Sequence, residues 1–397
     1  MDNQPSSLIS RIPPEIWWHI FDYVLVPYYL LDEVYEGDDW ISYAAEAARA
    51  GPLTAMRLAE KQRQIIGLVC KSWNQIATMI KHRFVHLSSD YADELTPEVI
   101  KKAWYVYVWD LDLTSIGLTG CEVEWRVLRI PYEYVQKQMA GVRHPSLRKL
   151  EIVHRSEVLE ASQVNGLIES LKHSTGITWF GFHTATSLST LPCRPDKGQC
   201  ITLKNLQSIH CVSSGDLQFP YYRLDLPCLR HLYLSARPCQ SDVFFPLHQL
   251  IEAYGQTLYS LYLDFPLKRR LITPSDPTFP DWAIAPHLQE LAIDAPVHLK
   301  FHPLPSTHPL RVFAARIWCM DNLASWLESE NLKEVRILHA HKNSDGSLSP
   351  RYPYMVYWNI HSIPDISAAK MNILWEMAEL KGIKLRTCMQ ADGVDRK

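Results

Sequence analysis

The chain has 397 residues, and 40 Lys and Arg stand against 43 Asp and Glu, which leaves a net charge of -3. This balance provides no field that would attract nucleic acid or an acidic membrane, so it argues against general nucleic-acid binding. The length predicts two or three domains, and a hydrophobic content of 47% predicts folded domains rather than long disordered regions.

The N-terminus lacks the basic stretch and the apolar run of a signal peptide, and apolar runs such as 24–31 are too short to span a membrane. Nine scattered cysteines without a Cys-x-x-Cys pair are typical of reduced thiols, so we expect an intracellular protein, cytoplasmic or nuclear. The spacing of Cys193, Cys200 and Cys211 does not match a zinc finger. We therefore expect no metal and no cofactor.

The first predicted element is a helix over residues 12–24. Pro13 and Pro14 suit a helix start, where backbone N–H groups lack partners, and Glu15 favours the positive end of the helix dipole. Apolar residues then recur at three- and four-residue spacing and so share one helical face, namely Ile16, Ile20, Phe21 and Val24.

A second amphipathic run covers residues 53–80. Its apolar residues fall on one predicted stripe, namely Ile65, Val69, Trp73, Ile76 and Ile80. Two such helices make a poor core by themselves, so their apolar faces must contact either the rest of the chain or a partner.

Together these two segments resemble an F-box, whose pattern opens with Leu-Pro-x-Glu-Ile and continues to a Val-Cys-Lys-x-Trp run. Ile12 takes the place of the usual Leu, and an insert at about residues 27–63 separates the two halves. The resemblance covers about the first eighty residues. The matching positions are Ile12, Pro13, Pro14, Glu15, Ile16, Ile20, Phe21, Val24, Leu68, Val69, Cys70 and Trp73.

The resemblance implies that these residues bind the Skp adaptor of a cullin-RING ubiquitin ligase. The alternative is that the same apolar residues pack on the C-terminal part of the chain, which would leave a protein-binding scaffold without a ligase.

A Leu-x-x-Leu-x-Leu pattern recurs behind this region at intervals of 22 to 30 residues, which is close to the period of leucine-rich repeats. Predicted helices over 162–172, 242–254 and 321–327, and one that begins at Ser367 and stops at Gly382, lie between or after the matches. The matches begin at Leu147, Ile177, Leu206, Leu229, Leu258, Leu288, Leu310 and Leu332.

These repeats resemble the irregular leucine-rich repeats that follow F-boxes, although the usual Asn or Cys after each match is not consistently present. The resemblance implies an α/β protein in which a small N-terminal helical F-box-like module, residues 1–90, precedes a curved leucine-rich-repeat-like solenoid, residues 91–397. Its parallel strands would lie on the concave face. A non-repetitive α/β domain with Leu-rich strands is the alternative.

Within each strand the residues between the leucines alternate to the concave face, where we expect them to be exposed. Tyr, Trp and Arg are common anchors of protein interfaces, so this face is the predicted site for a protein target. For any one of these positions an ordinary solvent-facing role is the alternative. The candidates are Trp179, His183, His210, His231, Tyr233, Tyr262, Asp264, Glu290, Asp294, Glu334 and Arg336.

Motifs of common enzymes are absent from the sequence, including the nucleophile elbow, the phosphate-binding loop and the His-Glu-x-x-His zinc motif. His339 and His341, with Asp345, would need further ligands to hold a metal, and Lys268 to Arg270 is too short a basic run to indicate nucleic-acid binding. We therefore expect a non-catalytic receptor that binds the Skp adaptor and an unknown protein target, with no nucleic acid or membrane partner.

Overall fold

A computed structural model describes about three fifths of the chain, between Ile12 and Cys388, and the chain divides into two compact units. The first unit comprises residues 1–155 and 165–182, and the second comprises 156–164 and 183–397. The described residues are 12–25, 40–41, 44, 52–80, 83–89, 95–111, 113–135, 142–154, 166, 171, 176–184, 200–213, 224–236, 250–264, 279, 281–294, 301–316, 326–338, 340–342, 348–350 and 368–388.

Among its described residues the first unit begins with helices α1 (Pro14–Leu25), α2 (Pro52–Gly67) and α3 (Lys71–Ile80), and residues 40, 41 and 44 are also helical. The predicted first helix is confirmed. The single stripe predicted over 53–80 is wrong, because the helix breaks at residues 68–70. As a result Ile65 and Val69 are exposed, whereas Ile76 and Ile80 are buried.

The first unit continues with a short helix, α4 (Pro97–Lys101), and with the first strands of a parallel sheet. The strands have few matches to the leucine pattern here, but residues at alternate positions are still fully buried, such as Val106, Leu128 and Leu150. The strands are β1 (Phe84–Leu87), β2 (Tyr105–Val108), β3 (Val127–Pro131), β4 (Lys149–His154) and β5 (Trp179–Thr184), whose last two residues belong to the second unit.

The second unit adds the remaining strands and helix α5 (Ala368–Leu380), and its described residues 250–254 are also helical. The strands are β6 (Ile201–Thr202), β7 (Ser208–Ser213), β8 (Leu224–Asp225), β9 (His231–Ala236), β10 (Ser260–Asp264), β11 (Glu290–Asp294), β12 (Val312–Arg316), β13 (Glu334–Leu338), β14 (Ala340–Lys342), β15 (Leu348–Pro350) and β16 (Lys384–Cys388).

Twelve of these strands form one sheet in the order β1-β2-β3-β4-β5-β7-β9-β10-β11-β12-β13-β16. Neighbouring strands pair in parallel and in register, as when Tyr233 of β9 lies between His210 of β7 and Tyr262 of β10. The α/β class and the parallel strands are therefore confirmed. The strands β14 and β15 form a separate antiparallel pair.

Each of the eight matches to the leucine pattern overlaps a strand of this sheet. The motif leucines are the buried ones, since Leu229, Leu258, Leu288 and Leu310 are all 0% exposed. Parallel strands that are buried on both faces need such apolar runs, which explains why the pattern is informative about the strands.

The predicted end of the chain is also confirmed in outline. Helix α5 is followed by Gly382, whose φ of +66° is a left-handed conformation that glycine adopts at helix ends, and then by strand β16. Leu374 and Ala378 are buried as expected, but Trp375 is 40% exposed and does not lie on the buried face.

Other predictions lie outside the described residues. These are the side chains of Pro14, Val24 and His341, the positions Cys193, His339 and Asp345, the basic run 268–270, most of the helix at 162–172, and the starts of the helices at 242 and 321. The module boundaries at residues 90 and 91 stay predictions. In the part of the chain that the structure describes, no helix combines the length and the apolarity needed to cross a bilayer.

Candidate functional site

The helices of the first unit pack around a small aromatic core. Phe21 of α1 is 2% exposed and contacts Trp73 of α3, with ring centres 5.1 Å apart in an edge-to-face arrangement. Trp17 lies 4.6 Å from the same Trp73 ring, and Ile76 and Ile80 complete the buried cluster. This core holds α1 against α3 without using every apolar residue of the helices.

The apolar residues left over are exposed at motif positions. Ile16 and Ile20 lie one turn apart on α1 and are 48% and 39% exposed, while Leu68 and Val69, between α2 and α3, are 87% and 53% exposed. Exposed groups of large apolar side chains are uncommon on soluble proteins except where another molecule binds.

The other predicted adaptor positions differ in their accessibility. Pro13 and Glu15 are exposed, whereas Ile12, Cys70 and Trp73 are half-buried. The Cys70 thiol lies 3.2 Å from the Ser72 hydroxyl, and this contact, with backbone hydrogen bonds from the start of α3, lowers the pKa of Cys70. Phe21 and Trp73 therefore belong mainly to the helical core, and the exposed positions are the ones available to a partner.

The candidate target-binding face of the sheet carries buried charges in the first unit. Arg129 donates a 2.5 Å hydrogen bond to Glu151, and the Lys149 ammonium lies 3.6 Å from the same carboxylate. Lys149 also lies 4.1 Å from the centre of the Trp179 ring. A Cβ at Gly181 would lie 2.5 Å from that ring, so the close approach of Trp179 requires glycine there.

In the second unit an aromatic ladder crosses one register position of β7, β9 and β10, where Tyr233 pairs with His210 on one side and with Tyr262 on the other. The ring centres of His210 and Tyr233 are 3.9 Å apart and those of Tyr233 and Tyr262 are 5.0 Å apart, while the His183 ring of β5 lies 6.3 Å from that of His210. Such edge-to-face contacts are favourable beyond the burial of the rings themselves.

The prediction that this face is solvent-exposed is wrong for most of its residues. Equivalent positions on neighbouring parallel strands lie about 4.8 Å apart, so large side chains cover one another instead of pointing separately into water. His183, His231, Asp264 and Glu334 are half-buried. The buried ones, with exposures between 2% and 9%, are Trp179, His210, Tyr233, Tyr262, Glu290, Asp294 and Arg336.

Acidic groups on the later strands are held by local partners. Asp264 accepts hydrogen bonds from the hydroxyls of Tyr233, at 2.8 Å, and Ser235, at 3.1 Å. Glu334 accepts a 2.9 Å hydrogen bond from Arg336 and forms an ion pair with Arg386 at 3.3 Å. The role of these positions in target binding stays a prediction.

Replacing Tyr233 by Phe should lower the free energy of unfolding by about 1 to 2 kcal/mol, because Asp264 loses a buried hydroxyl donor. Burial, and the neighbouring Asp264 carboxylate, raise the pKa of Tyr233 well above its usual range, so the hydroxyl keeps its proton at neutral pH. Tyr259→Phe is the matched control, since Tyr259 is 39% exposed and should change stability little. Urea unfolding measures the stability of both variants. Equal losses in Tyr233→Phe and Tyr259→Phe would contradict a stabilising role for the hydrogen bond between Tyr233 and Asp264.

His231 should make the protein sensitive to acid. Burial, with a contribution from Arg230, lowers the pKa of His231 to about 4, against 6.5 for an unperturbed histidine. Between these values the unfolded chain binds the extra proton, so the stability provided by neutral His231 is present above pH 6.5 and is lost as the pH falls. We expect a loss of about 2 kcal/mol between pH 7.5 and pH 5.

His231→Gln should remove that loss, whereas His287→Gln, at an exposed position, should retain it. Unfolding titrations at several pH values give the result. An unchanged acid sensitivity in His231→Gln would show that another group is responsible.

The described residues contain no group of three or more His, Cys, Asp or Glu side chains able to hold a metal ion. Cys70, Cys121, Cys200, Cys211 and Cys228 are free thiols, and burial raises the pKa of Cys211 far beyond its usual value.

No protein-family model matches the chain. A search of curated proteins likewise finds no significant match.

Proposed function

We propose that the protein is a non-catalytic substrate receptor of a cullin-RING ubiquitin ligase. In this proposal the three N-terminal helices form an F-box that binds the Skp adaptor, and the strand repeats form a leucine-rich-repeat-like domain that binds a target protein. Ubiquitin transfer would be carried out by other subunits.

One observation carries the adaptor half of the proposal. Ile16, Ile20, Leu68 and Val69 match apolar positions of the F-box pattern and are exposed, while Phe21, Ile76 and Ile80 already hold the helices together. Burying a fully exposed apolar side chain contributes about 1.5 to 3 kcal/mol, so a partner that covers these four partly exposed residues would gain a share of its binding free energy from each of them.

The target half is supported by the spacing and pairing of the strands. Parallel strands that follow one another in the sheet at a nearly constant sequence interval are typical of leucine-rich repeats. The target would contact the half-buried side chains of His183, Asp264 and Glu334, together with exposed residues around the aromatic ladder. The buried rings of the ladder would keep that surface rigid.

The competing scaffold function keeps the repeats but engages no ligase. The half-buried Trp73 and the Arg83 guanidinium 5.2 Å from the Trp18 ring favour it, because they provide the helices with contacts inside the chain. It differs from the preferred proposal in leaving Ile16, Ile20, Leu68 and Val69 without a partner.

Co-expression of the full chain with the Skp adaptor separates the two functions. The receptor proposal predicts that the adaptor and the chain elute together in equal amounts during size-exclusion chromatography. Separate elution at micromolar concentrations of both proteins would favour the scaffold.

A further inference from the structure

The residues that immediately precede the strands are joined by backbone hydrogen bonds, which form a ladder at the N-terminal ends of the strands. In the first unit the N–H of Trp104 donates to the carbonyl of Arg83 at 2.9 Å, that of Arg126 to Trp104 at 2.8 Å, and that of Arg148 to Arg126 at 2.9 Å. Thr178 continues the ladder with a 2.8 Å bond to Arg148. The backbone of these residues is thus fixed at one register position.

The residue directly before each strand is basic more often than the composition of the chain predicts. The corresponding residues of the second unit are Gln207, Arg230, Tyr259, Gln289, Arg311 and Lys333. Among these eleven described positions six are basic and none is acidic. In a chain with 40 basic and 43 acidic residues, six charged positions would all be basic by chance about one time in eighty.

The side chains in the first unit are stacked. The guanidinium carbon of Arg83 lies 3.4 Å from the centre of the Trp104 ring, and that of Arg126 lies 3.9 Å from it. The two arginines precede the strands on either side of β2, so they cover opposite faces of the ring. Stacking on an aromatic ring fixes the plane of a guanidinium and so prepares its N–H groups for a planar, bidentate acceptor.

We propose that the arginine row, defined as Arg83, Trp104, Arg126 and Arg148, binds an acidic segment of another protein through its carboxylates. Arg126 is exposed and forms no ion pair with any carboxylate of the described residues, while Arg83 and Arg148 are half-buried. At about 4.8 Å per strand the three arginines span about 14 Å, which an extended peptide covers with four or five residues. Arg–carboxylate pairs are the strong, directional kind of ion pair.

The stacking favours a peptide over a nucleic acid. Single-stranded nucleic acids gain much of their affinity by stacking bases on aromatic rings. Both faces of Trp104 are already covered by guanidinium groups, so its ring cannot serve in this way. The net charge of -3 also gives no long-range attraction for a polyanion, whereas short-range pairing with a few carboxylates does not need one.

The proposal can be tested with the full chain and a fluorescein-labelled decapeptide of alternating Asp and Glu, with anisotropy as the readout. Arg126→Gln should weaken peptide binding about tenfold. The affinity of Arg126→Lys should lie between those of Arg126→Gln and the wild type, because lysine keeps the positive charge but lacks the planar guanidinium that binds a carboxylate through two hydrogen bonds. Arg143→Gln is the matched control: Arg143 is an exposed arginine of the same unit outside the row and should change the affinity less than twofold.

Three results would overturn the proposal. They are equal binding by the wild type and Arg126→Gln, equal binding of a decapeptide with Asn and Gln in place of the acids, and tighter binding of a labelled oligouridine that Arg126→Gln also abolishes. Thermal unfolding of each variant shows that the fold is retained. None of these outcomes depends on adaptor binding, so the row and the ligase proposal fail or stand separately.

Discussion

Replacing Ile20 by Asp should weaken binding of the Skp adaptor at least about 100-fold. Ile20 is 39% exposed, so an interface that covers it would lose about 1 kcal/mol of further burial, and it would also have to bury a carboxylate without a prepared partner. A hundredfold change corresponds to about 2.7 kcal/mol, so the buried carboxylate is expected to cause most of the loss. Isothermal titration of the full chain with the adaptor measures the effect.

The same change should leave the helices folded, because Ile20 is 39% exposed and the buried core consists of Phe21, Ile76 and Ile80. Ile373→Asp is the matched control, since Ile373 lies on α5 and is 57% exposed, away from the proposed adaptor site in sequence and in unit. If both variants, or neither, lose adaptor binding, Ile20 does not mark the docking surface.

Trp326→Ala should produce the largest loss of stability, about 3 to 5 kcal/mol. Trp326 is 1% exposed and lies at the centre of an aromatic cluster, with ring centres 3.9 Å from Phe313, 4.7 Å from Phe301 and 5.6 Å from Trp282. Removing the indole leaves a cavity that three rigid rings cannot close. The variant therefore loses the free energy of burying the indole and also bears the cost of the cavity.

Trp375→Ala provides the comparison, because Trp375 is 40% exposed and its truncation should cost less than about 1 kcal/mol. Urea unfolding followed by circular dichroism gives both values. A Trp326 variant no less stable than the Trp375 variant would show that the aromatic cluster does not hold the second unit together.

The strands could be predicted from sequence because burial on both faces requires apolar residues at fixed positions. From Leu147 onward the leucine pattern identifies strands of the sheet, and the helix that stops before Gly382 ends close to its predicted position. Strands β1 to β3 were missed, since their segments use residues such as Ala103 and Trp125 where the pattern has Leu. Burial at those positions tolerates other apolar side chains of suitable volume.

The candidate surfaces were harder to predict. Exposure on the sheet depends on the neighbours in adjacent strands, which lie 20 to 30 residues away in sequence, so the mutual covering of His210, Tyr233 and Tyr262 is not visible in any one repeat. The arginine row was missed for the same reason, although aligning the repeats would have shown the excess of basic residues. The break between α2 and α3, which exposes Leu68 and Val69, follows Gly67, a residue typical of helix ends, but the apolar spacing continues across it and conceals the break.

Hydrogen exchange of the full chain, with and without a saturating amount of the Skp adaptor, shows whether the exposed N-terminal residues form the docking surface. We expect protection of backbone amides in α1 and in residues 65–73, where Ile16, Ile20, Leu68 and Val69 lie, with the sheet strands unchanged. Absence of any change at adaptor concentrations that saturate a known F-box protein, or protection confined to the strands, would contradict it.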